Sequence, residues 1–311
     1  MKVSDIIVIL AVSIPAVAMG AAPGKFTITT FDVPPIADQT SLSVDQANSA
    51  GEIVGFQTNS GGNTQGFLRL ANGTFETISE PNNNTSLFPY TNAYSINTKG
   101  EIAGTYYNTT TDLYTGFVYL NGKYASYSVA GLPSGSDTYV YGINDYGETC
   151  GFYQTPPTYA TIPFINEKGT IVTFTIPNAT QGTCYAVNDK LEAAGYYYDG
   201  TTYHGFIRSA SGTITVVDAP GAGSTGTFLE GLNNSGWTSG HFLDTSNYEH
   251  GFLRSPAGKF TLINVTGAAV ASGEGTAGGA LTETCTVVGH YDPSSGPPQE
   301  GYIATPSEPC K

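Results

Sequence analysis

The amino-acid sequence predicts an all-β protein, a six-bladed β-propeller of four-stranded blades that its own N-terminal strand closes. Three observations support this fold class. A short motif recurs six times along the 311 residues, turn and strand residues such as Gly, Asn, Thr and Tyr are abundant, and the N-terminal segment matches the strand that the last repeat lacks. Four short strands in about 45 residues are typical of a propeller blade.

Each repeat combines an Asn-containing turn with a later glycine. The clearest copy runs from Ile143 to Phe152, and a worn copy runs from Leu281 to His290. The pattern Asn-x-x-Gly predicts a tight turn, because Asn and Gly both tolerate left-handed backbone conformations. The second glycines of the copies are 44 to 49 residues apart: Gly55, Gly104, Gly151, Gly195, Gly240 and Gly289.

Two further features complete each repeat. A Gly-Phe pair follows most copies of the motif, and a glycine turn then leads into an alternating strand, as from Gly258 to Ile263. We call the four predicted strands of a repeat A, B, C and D, with the Asn turn between A and B. A β-helix would have shorter rungs, and a β-sandwich would not repeat at a fixed period.

The two ends of the chain complement one another. The sixth repeat stops after its strand C, from Gly301 to Ala304, and has no strand D. The segment from Gly24 to Val33 matches the strand D segment from Gly258 to Val265 nearly residue for residue. We therefore predict that the N-terminal strand completes the last blade and leaves no open sheet edge.

The repeat resembles the extracellular HAF-type repeat family of exported bacterial proteins, over essentially the whole mature chain. The resemblance is carried by the apolar-Asn-x-x-Gly turn, the Gly-aromatic strand and the His-Gly-Phe stretches at His204 and His250. The chain has Gly where the family's His-Ala-Phe has Ala, and four copies lack the His. The resemblance implies a propeller-like architecture and no particular activity.

The N-terminus predicts export. Lys2 precedes an uncharged apolar run over residues 6–17, and small residues follow where a signal peptidase cleaves. We predict a signal peptide over residues 1–20 and a single propeller domain over residues 21–311, secreted to the cell exterior or the periplasm. A retained membrane anchor is the alternative, although the run is short for a membrane span.

The charge balance excludes some classes of partner. The chain has 11 Lys and Arg residues against 25 Asp and Glu residues, a formal net charge of −14. Nucleic acids and anionic membranes require clustered cations, which this sequence lacks. An extracellular glycan or protein remains a suitable ligand. No motif predicts a metal site or a cofactor, and the sequence does not indicate an oligomeric state.

Four cysteines in an exported chain favour disulfides. We predict the pairs Cys150–Cys184 and Cys285–Cys310. Free buried thiols are the alternative for the first pair.

The loops on one side of the predicted propeller carry most of the candidate binding residues. The A–B and C–D turns are short, whereas the B–C and D–A connections vary, and a rigid scaffold commonly binds through its variable loops. Aromatic rings there suit sugars or peptides. In the alternative interpretation, the rings only cover the blade tips. The candidates are Phe88, Tyr90, Tyr114, Tyr139, Tyr159, Tyr198, Tyr203, Phe228 and Tyr248.

A second candidate site lies on strand A, three residues before each repeat Asn. Strand A is nearest the propeller axis, so these residues could line a central pocket. Gly279 occupies the position in the sixth repeat and predicts an open notch between two carboxylates, which could act as acid and base in polysaccharide cleavage. Solvated acids at the funnel mouth are the alternative. The other five residues are Asp45, Tyr94, Tyr141, Tyr185 and Glu230.

The sequence therefore leaves three functions open. The first is a non-enzymatic extracellular module that binds a glycan or protein through its loop-rich side. The second is a carbohydrate-active hydrolase or lyase with its site in the central funnel, and the third is a structural surface protein. The four histidines fall at equivalent repeat positions, where packing and hydrogen bonding are more common than metal binding.

Overall fold

A computed structural model describes residues 26–81, 90–296, 298–308 and 310. The predicted signal peptide and Phe88 lie outside these residues. The described residues form 24 β-strands and no α-helix, which confirms the all-β class. No helix among them is long and apolar enough to cross a membrane.

The strands follow the repeat: repeats 1 to 5 each contribute strands A to D in chain order, and repeat 6 contributes strands A to C. Repeats 1 to 3 contain β2 (Gln39–Ala47), β3 (Ile53–Asn59), β4 (Thr64–Arg69), β5 (Phe75–Ile78), β6 (Thr91–Ile96), β7 (Ile102–Asn108), β8 (Leu113–Leu120), β9 (Lys123–Tyr127), β10 (Asp137–Ile143), β11 (Thr149–Gln154), β12 (Thr161–Glu167) and β13 (Thr170–Thr173). Repeats 4 to 6 contain β14 (Gln181–Val187), β15 (Ala193–Tyr198), β16 (Tyr203–Arg208), β17 (Ile214–Val217), β18 (Ala222–Leu232), β19 (Thr238–Asp244), β20 (Glu249–Arg254), β21 (Phe260–Ile263), β22 (Thr276–Leu281), β23 (Val287–Tyr291) and β24 (Glu300–Pro306). The remaining strand is the N-terminal β1 (Phe26–Phe31).

The strands form four sheets of four strands and one sheet of eight strands. The larger sheet joins repeats 4 and 5 through a single parallel bridge between Tyr203 and Gly226. Gly226 permits this contact, because a Cβ atom there would lie 1.9 Å from the carbonyl oxygen of Tyr203. The expectation of six separate sheets is therefore not met, although each half of the larger sheet is itself an antiparallel four-stranded unit.

The N-terminal strand pairs with the last strand of the chain, as the sequence predicts. Strand β1 is antiparallel to β24, with Phe26 opposite Pro306 and Phe31 opposite Gly301. The guanidinium of Arg69, at the end of β4, lies 4.8 Å from the ring centroid of Phe31. This cation–π contact holds the first repeat against the strand that completes the sixth.

Buried side chains fill the spaces between consecutive repeats. Val54 and Ile78 of repeat 1 pack with Ala93 and Ile102 of repeat 2, and equivalent clusters follow along the chain. A further cluster joins Val288 of repeat 6 to the first repeat. Each sheet is thus covered on both faces by its neighbours, which is why strands A and B are apolar or small at nearly every position.

The second glycine of the motif is required by a close approach of strands. A Cβ atom at Gly104 would lie 2.0 Å from the carbonyl oxygen of Asn92 on strand A and 2.6 Å from the ring of Phe117 on strand C. The short distance from this glycine to a strand A carbonyl oxygen recurs at the second glycine of every repeat. The Gly-Phe pair of strand C supplies the buried ring, so the two landmarks of the repeat form one packing unit.

The repeat asparagines link neighbouring A–B turns in a ladder of hydrogen bonds. The amide nitrogen of Asn48 donates to the carbonyl of Asn97, and that of Asn97 donates to the carbonyl of Asn144. The series continues through Asn188 and Asn233 to Thr282. The A–B turns of all six repeats line one common opening. We call the side of the molecule that carries the A–B and C–D turns the turn face. We call the opposite side, which carries the B–C and D–A loops, the loop face.

The cysteines behave differently in the two predicted pairs. Cys285 and Cys310 form a disulfide with a Cα–Cα distance of 5.8 Å, as predicted. The predicted bond between Cys150 and Cys184 is absent. Both residues are buried free thiols. They lie together in the core between repeats 3 and 4, where they act as small apolar side chains. Burial and contact with Cys184 raise the pKa of Cys150.

Candidate functional site

A β-bulge positions each candidate residue of strand A. In repeat 1 the pairing of β2 with β3 shifts between Val44 and Gln46, which leaves Asp45 outside the ladder. The same shift skips Tyr94, Tyr141, Tyr185 and Glu230. A bulge redirects a side chain from the regular alternation of a strand. The repeat therefore places these residues in register, and we call the five of them the axial ring.

The tyrosines of the axial ring contact one another directly. The ring centroids of Tyr94 and Tyr141 are 4.1 Å apart, and those of Tyr141 and Tyr185 are 4.9 Å apart. Tyr94 and Tyr185 are buried. Three repeats thus bring together rings that are more than 40 residues apart in the sequence, and the rings obstruct the centre of the molecule.

The two carboxylates of the axial ring also converge. The hydroxyl of Tyr185 donates a 2.8 Å hydrogen bond to Oδ1 of Asp45, and Oδ2 of Asp45 has no partner in the described part of the chain. Burial raises the pKa of Asp45 well above its usual range, the Tyr185 bond opposes this rise, and the charge of Glu230 adds to it. Glu230, on the other side of repeat 6, therefore influences Asp45 electrostatically without a hydrogen bond between the two carboxyl groups.

The predicted open notch at Gly279 is not present. A Cβ atom at Gly279 would lie 2.6 Å from the carbonyl oxygen of Val44 and 2.9 Å from that of Asp45. The backbone of repeat 1 therefore fills the space that the missing side chain leaves. Asp45 is only 3% exposed, so this carboxyl is not a solvated acid at a funnel mouth.

Glu230 belongs to a second polar group between repeats 5 and 6. His241 lies between two carboxylates, with Nδ1 3.5 Å from Glu230 and Nε2 3.3 Å from Glu249. Burial lowers the pKa of His241, but the charges of Glu230 and Glu249 outweigh this and raise it to about 9. For His290, burial lowers the pKa, and the neighbouring His241 lowers it further. His241 is therefore an imidazolium held between carboxylates at neutral pH.

Six of the predicted surface aromatics lie on the loop face in two groups. In the first, Tyr114 contacts Tyr90, Tyr107 and Tyr139 at centroid distances of 5.0 to 5.3 Å. Tyr139 stacks on Phe152 at 4.6 Å, and Phe152 contacts Tyr141 of the axial ring. All of these rings except Phe152 are partly exposed. We call these five residues, Tyr90, Tyr107, Tyr114, Tyr139 and Phe152, the Tyr114 cluster.

The second group lies on repeats 4 and 5. Tyr203 contacts Tyr198 at 4.9 Å and Phe228 at 5.0 Å, and Tyr196 contacts Phe228 at 5.0 Å. Tyr196 also approaches Tyr185 of the axial ring, at 6.1 Å. Phe228 stacks on His241 at 4.8 Å. We call Tyr196, Tyr198, Tyr203, Phe228 and His241 the Tyr203 cluster.

The remaining predicted aromatics lie apart from these clusters. Tyr159 is 50% exposed, and Tyr248 is partly exposed beside a turn that Asp244 caps. Sequence reasoning did not select Glu249, Tyr107, Phe152 or Tyr196. The signal was available for Glu249, because it stands one residue before a His-Gly-Phe stretch at the loop end of strand C. Within the described residues, no group of three or more His, Cys, Asp or Glu side chains is arranged to hold a metal ion.

Comparison with solved structures identifies the fold. Over 94% of this chain and 96% of the other, the structure superposes on a neuraminidase-like protein from A/bat/Guatemala/164/2009, with a TM-score of 0.53 and 12% identity. It also superposes on a variant of the Aleuria aurantia lectin in complex with Fucα1-6GlcNAc, over 88% and 98% of the two chains, with a TM-score of 0.52 and 10% identity. The protein is thus a β-propeller. No family model and no curated protein sequence matches the chain.

Proposed function

We propose that the chain is an exported six-bladed β-propeller of HAF-type repeats that binds a glycan across its loop face. The count of six blades rests on the two halves of the eight-stranded sheet and on the core clusters, one of which lies between repeat 6 and repeat 1. The disulfide is consistent with an oxidising compartment.

The observation that carries the binding role is the pair of partly exposed aromatic clusters. The Tyr114 and Tyr203 clusters both lie on the loop face, and each reaches the axial ring through ring contacts of 6.1 Å or less. An aromatic face stacks on the apolar face of a pyranose, while a tyrosine hydroxyl hydrogen-bonds to sugar hydroxyls. An extended saccharide is therefore a better match to this surface than a compact ligand.

A hydrolase with its site at the axial ring receives less support. General acid–base cleavage requires two carboxyl groups that reach the scissile bond. Asp45 is buried and hydrogen-bonded to Tyr185, and Glu230 is engaged with His241. Neither carboxyl is directed at an open cleft of saccharide size.

Glycan-array binding of the mature protein, run beside a polysaccharide-degradation screen, tests this proposal. We expect binding without degradation, and Tyr114→Ala should weaken the strongest array ligand about tenfold. Tyr119→Ala is the matched control, because Tyr119 lies on the same strand β8 but at its turn-face end. Unchanged affinity in a folded Tyr114→Ala, Tyr203→Ala double variant would exclude the loop face as the site.

A further inference from the structure

The lysine and arginine side chains are confined to one face of the propeller. The chain has 11 Lys and Arg residues, of which Lys2, Lys25 and Lys311 lie outside the described residues. The others all stand in or beside A–B and C–D turns, on the turn face. They are Arg69, Lys99, Lys123, Lys168, Lys190, Arg208, Arg254 and Lys259. Within the described residues, the loop face therefore has no Lys or Arg.

The loop face carries carboxylates instead, and several of them lie against the aromatic clusters. Asp137 accepts a 2.9 Å hydrogen bond from the backbone nitrogen of Tyr114, and the hydroxyl of Tyr107 donates to Asp112. On the loop face of repeat 4, Asp199 and Asp218 flank His204. The negative charges thus stand beside the rings that we propose as the saccharide platform.

The histidines of the loop face do not neutralise these charges. His241 is shared by two carboxylates, Glu230 and Glu249, so one imidazole faces two acidic groups. His204 contacts Asp199 and Asp218, and His250 contacts Asp244. In each of the first two groups, carboxylates outnumber imidazoles by two to one.

A buried acceptor oxygen strengthens the preference for a ligand that donates hydrogen bonds. Oδ1 of Asn92 has no partner in the described residues, while the amide nitrogen of Asn92 donates to the hydroxyls of Tyr90 and Tyr94. Asn92 is only 2% exposed and lies on strand A between Tyr90 of the Tyr114 cluster and Tyr94 of the axial ring.

From these observations we infer that the glycan bound by the loop face carries free amino groups, as in a polymer of glucosamine. This inference rests on the proposed glycan-binding function and specifies its ligand class. Protonated amines are attracted to the carboxylates and to the faces of the tyrosine rings, while the pyranose rings stack on the same aromatics. A basic peptide would satisfy the charges but has no pyranose faces for the rings to stack on.

The test compares two oligosaccharides that differ only in N-acetylation. Binding of the mature protein to a glucosamine hexamer and to the fully N-acetylated hexamer is measured by calorimetry at low salt, slightly below neutral pH. We expect the amine form to bind at least about tenfold more tightly, with an affinity that falls as salt is added. Asp137→Asn and Asp218→Asn should each weaken this binding severalfold, while Glu167→Gln, at the turn-face end of β12, should leave it unchanged.

The possible results separate the inference from the function on which it rests. Equal affinity for the two hexamers, or binding of the acetylated form and other neutral glycans alone, overturns the inference and leaves glycan binding intact. If no glycan binds, both fail. A lysine hexamer that binds as tightly as the glucosamine hexamer would show that charge alone is recognised, which also overturns the inference. Melting curves of both Asp variants identify any loss of binding that follows from unfolding.

Discussion

The hydroxyl of Tyr185 donates a hydrogen bond to Oδ1 of Asp45 over a sequence separation of 140 residues. The bond joins repeat 4 to repeat 1 across the centre of the propeller. Both residues are buried at bulges of strand A. The interaction therefore couples opposite sides of the ring, and it does so through a group whose charge depends on pH.

The first prediction concerns the pH dependence of stability at Asp45. Burial is the main reason that the folded-state pKa of Asp45 lies well above its ordinary value. The folded protein thus binds more protons than the unfolded chain between the two pKa values, so the free energy of unfolding falls as pH rises through this interval. In Asp45→Asn, whose amide oxygen still accepts the Tyr185 bond, we expect a smaller fall in stability as pH rises above about 4.

Chemical denaturation at a series of pH values measures this effect. Glu76→Gln is the control, because Glu76 is exposed on strand β5. A parallel pH profile in Asp45→Asn and in the parent protein would show that Asp45 does not carry the predicted penalty.

The second prediction concerns His241, whose pKa is also raised, but by neighbouring carboxylates rather than by burial. The pKa of His241 is raised from 6.5 to about 9 by Glu230 and Glu249, against the effect of burial. The resulting stabilisation is fully present below pH 6.5 and is lost as pH rises through 9. Glu249→Gln should lower the pKa and shrink this alkaline loss. NMR titration of the His241 ring measures the pKa directly, and an unchanged value in Glu249→Gln would contradict the assignment.

The sequence could predict the axial ring because a fixed offset from the repeat Asn selects the same position in every repeat. It could not predict how the ring packs. Gly279 suggests empty space by its missing side chain, whereas the carbonyl groups of Val44 and Asp45 occupy that space. Similarly, the sequence places Cys150 and Cys184 on neighbouring repeats but does not determine whether their sulfur atoms bond. Side-chain packing between repeats, rather than strand order, decides such details.

The third prediction concerns the asparagine ladder, which has one defective step. Thr282 stands where the other repeats have Asn, so its side chain has no amide to donate toward the turn of repeat 1. Asn144 is buried and donates to Glu148 and to the carbonyl of Asn188. Asn144→Ala should lower the free energy of unfolding by about 2 kcal/mol or more, because it leaves buried partners unsatisfied.

The reverse change tests whether the ladder is a general device. Thr282→Asn should add a hydrogen bond to the carbonyl of Asn48 and raise stability by about 1 kcal/mol. Thr284→Asn, two residues further along the same turn, is the control. If Thr282→Asn is neutral or destabilising while Asn144→Ala is costly, the ladder is specific to the first five turns.

The last prediction concerns closure of the propeller, which two features near the chain ends secure. Strand β1 pairs with β24, and the disulfide between Cys285 and Cys310 joins the A–B turn of repeat 6 to the C-terminal segment. The disulfide closes a loop with a sequence separation of 25, so the double variant Cys285→Ser, Cys310→Ser should lose about 3 kcal/mol on the chain-entropy model.

Deletion of residues 24–33 removes β1 and exposes the edge of β24, which should cause aggregation or non-cooperative unfolding. Calorimetry and light scattering measure both changes, and a deletion variant that melts like the parent would show that β1 does not close the ring. If the strand deletion is severe and the disulfide variant mild, pairing of β1 with β24 is the dominant closure, as we expect from the contact of Phe31 with Arg69 of repeat 1.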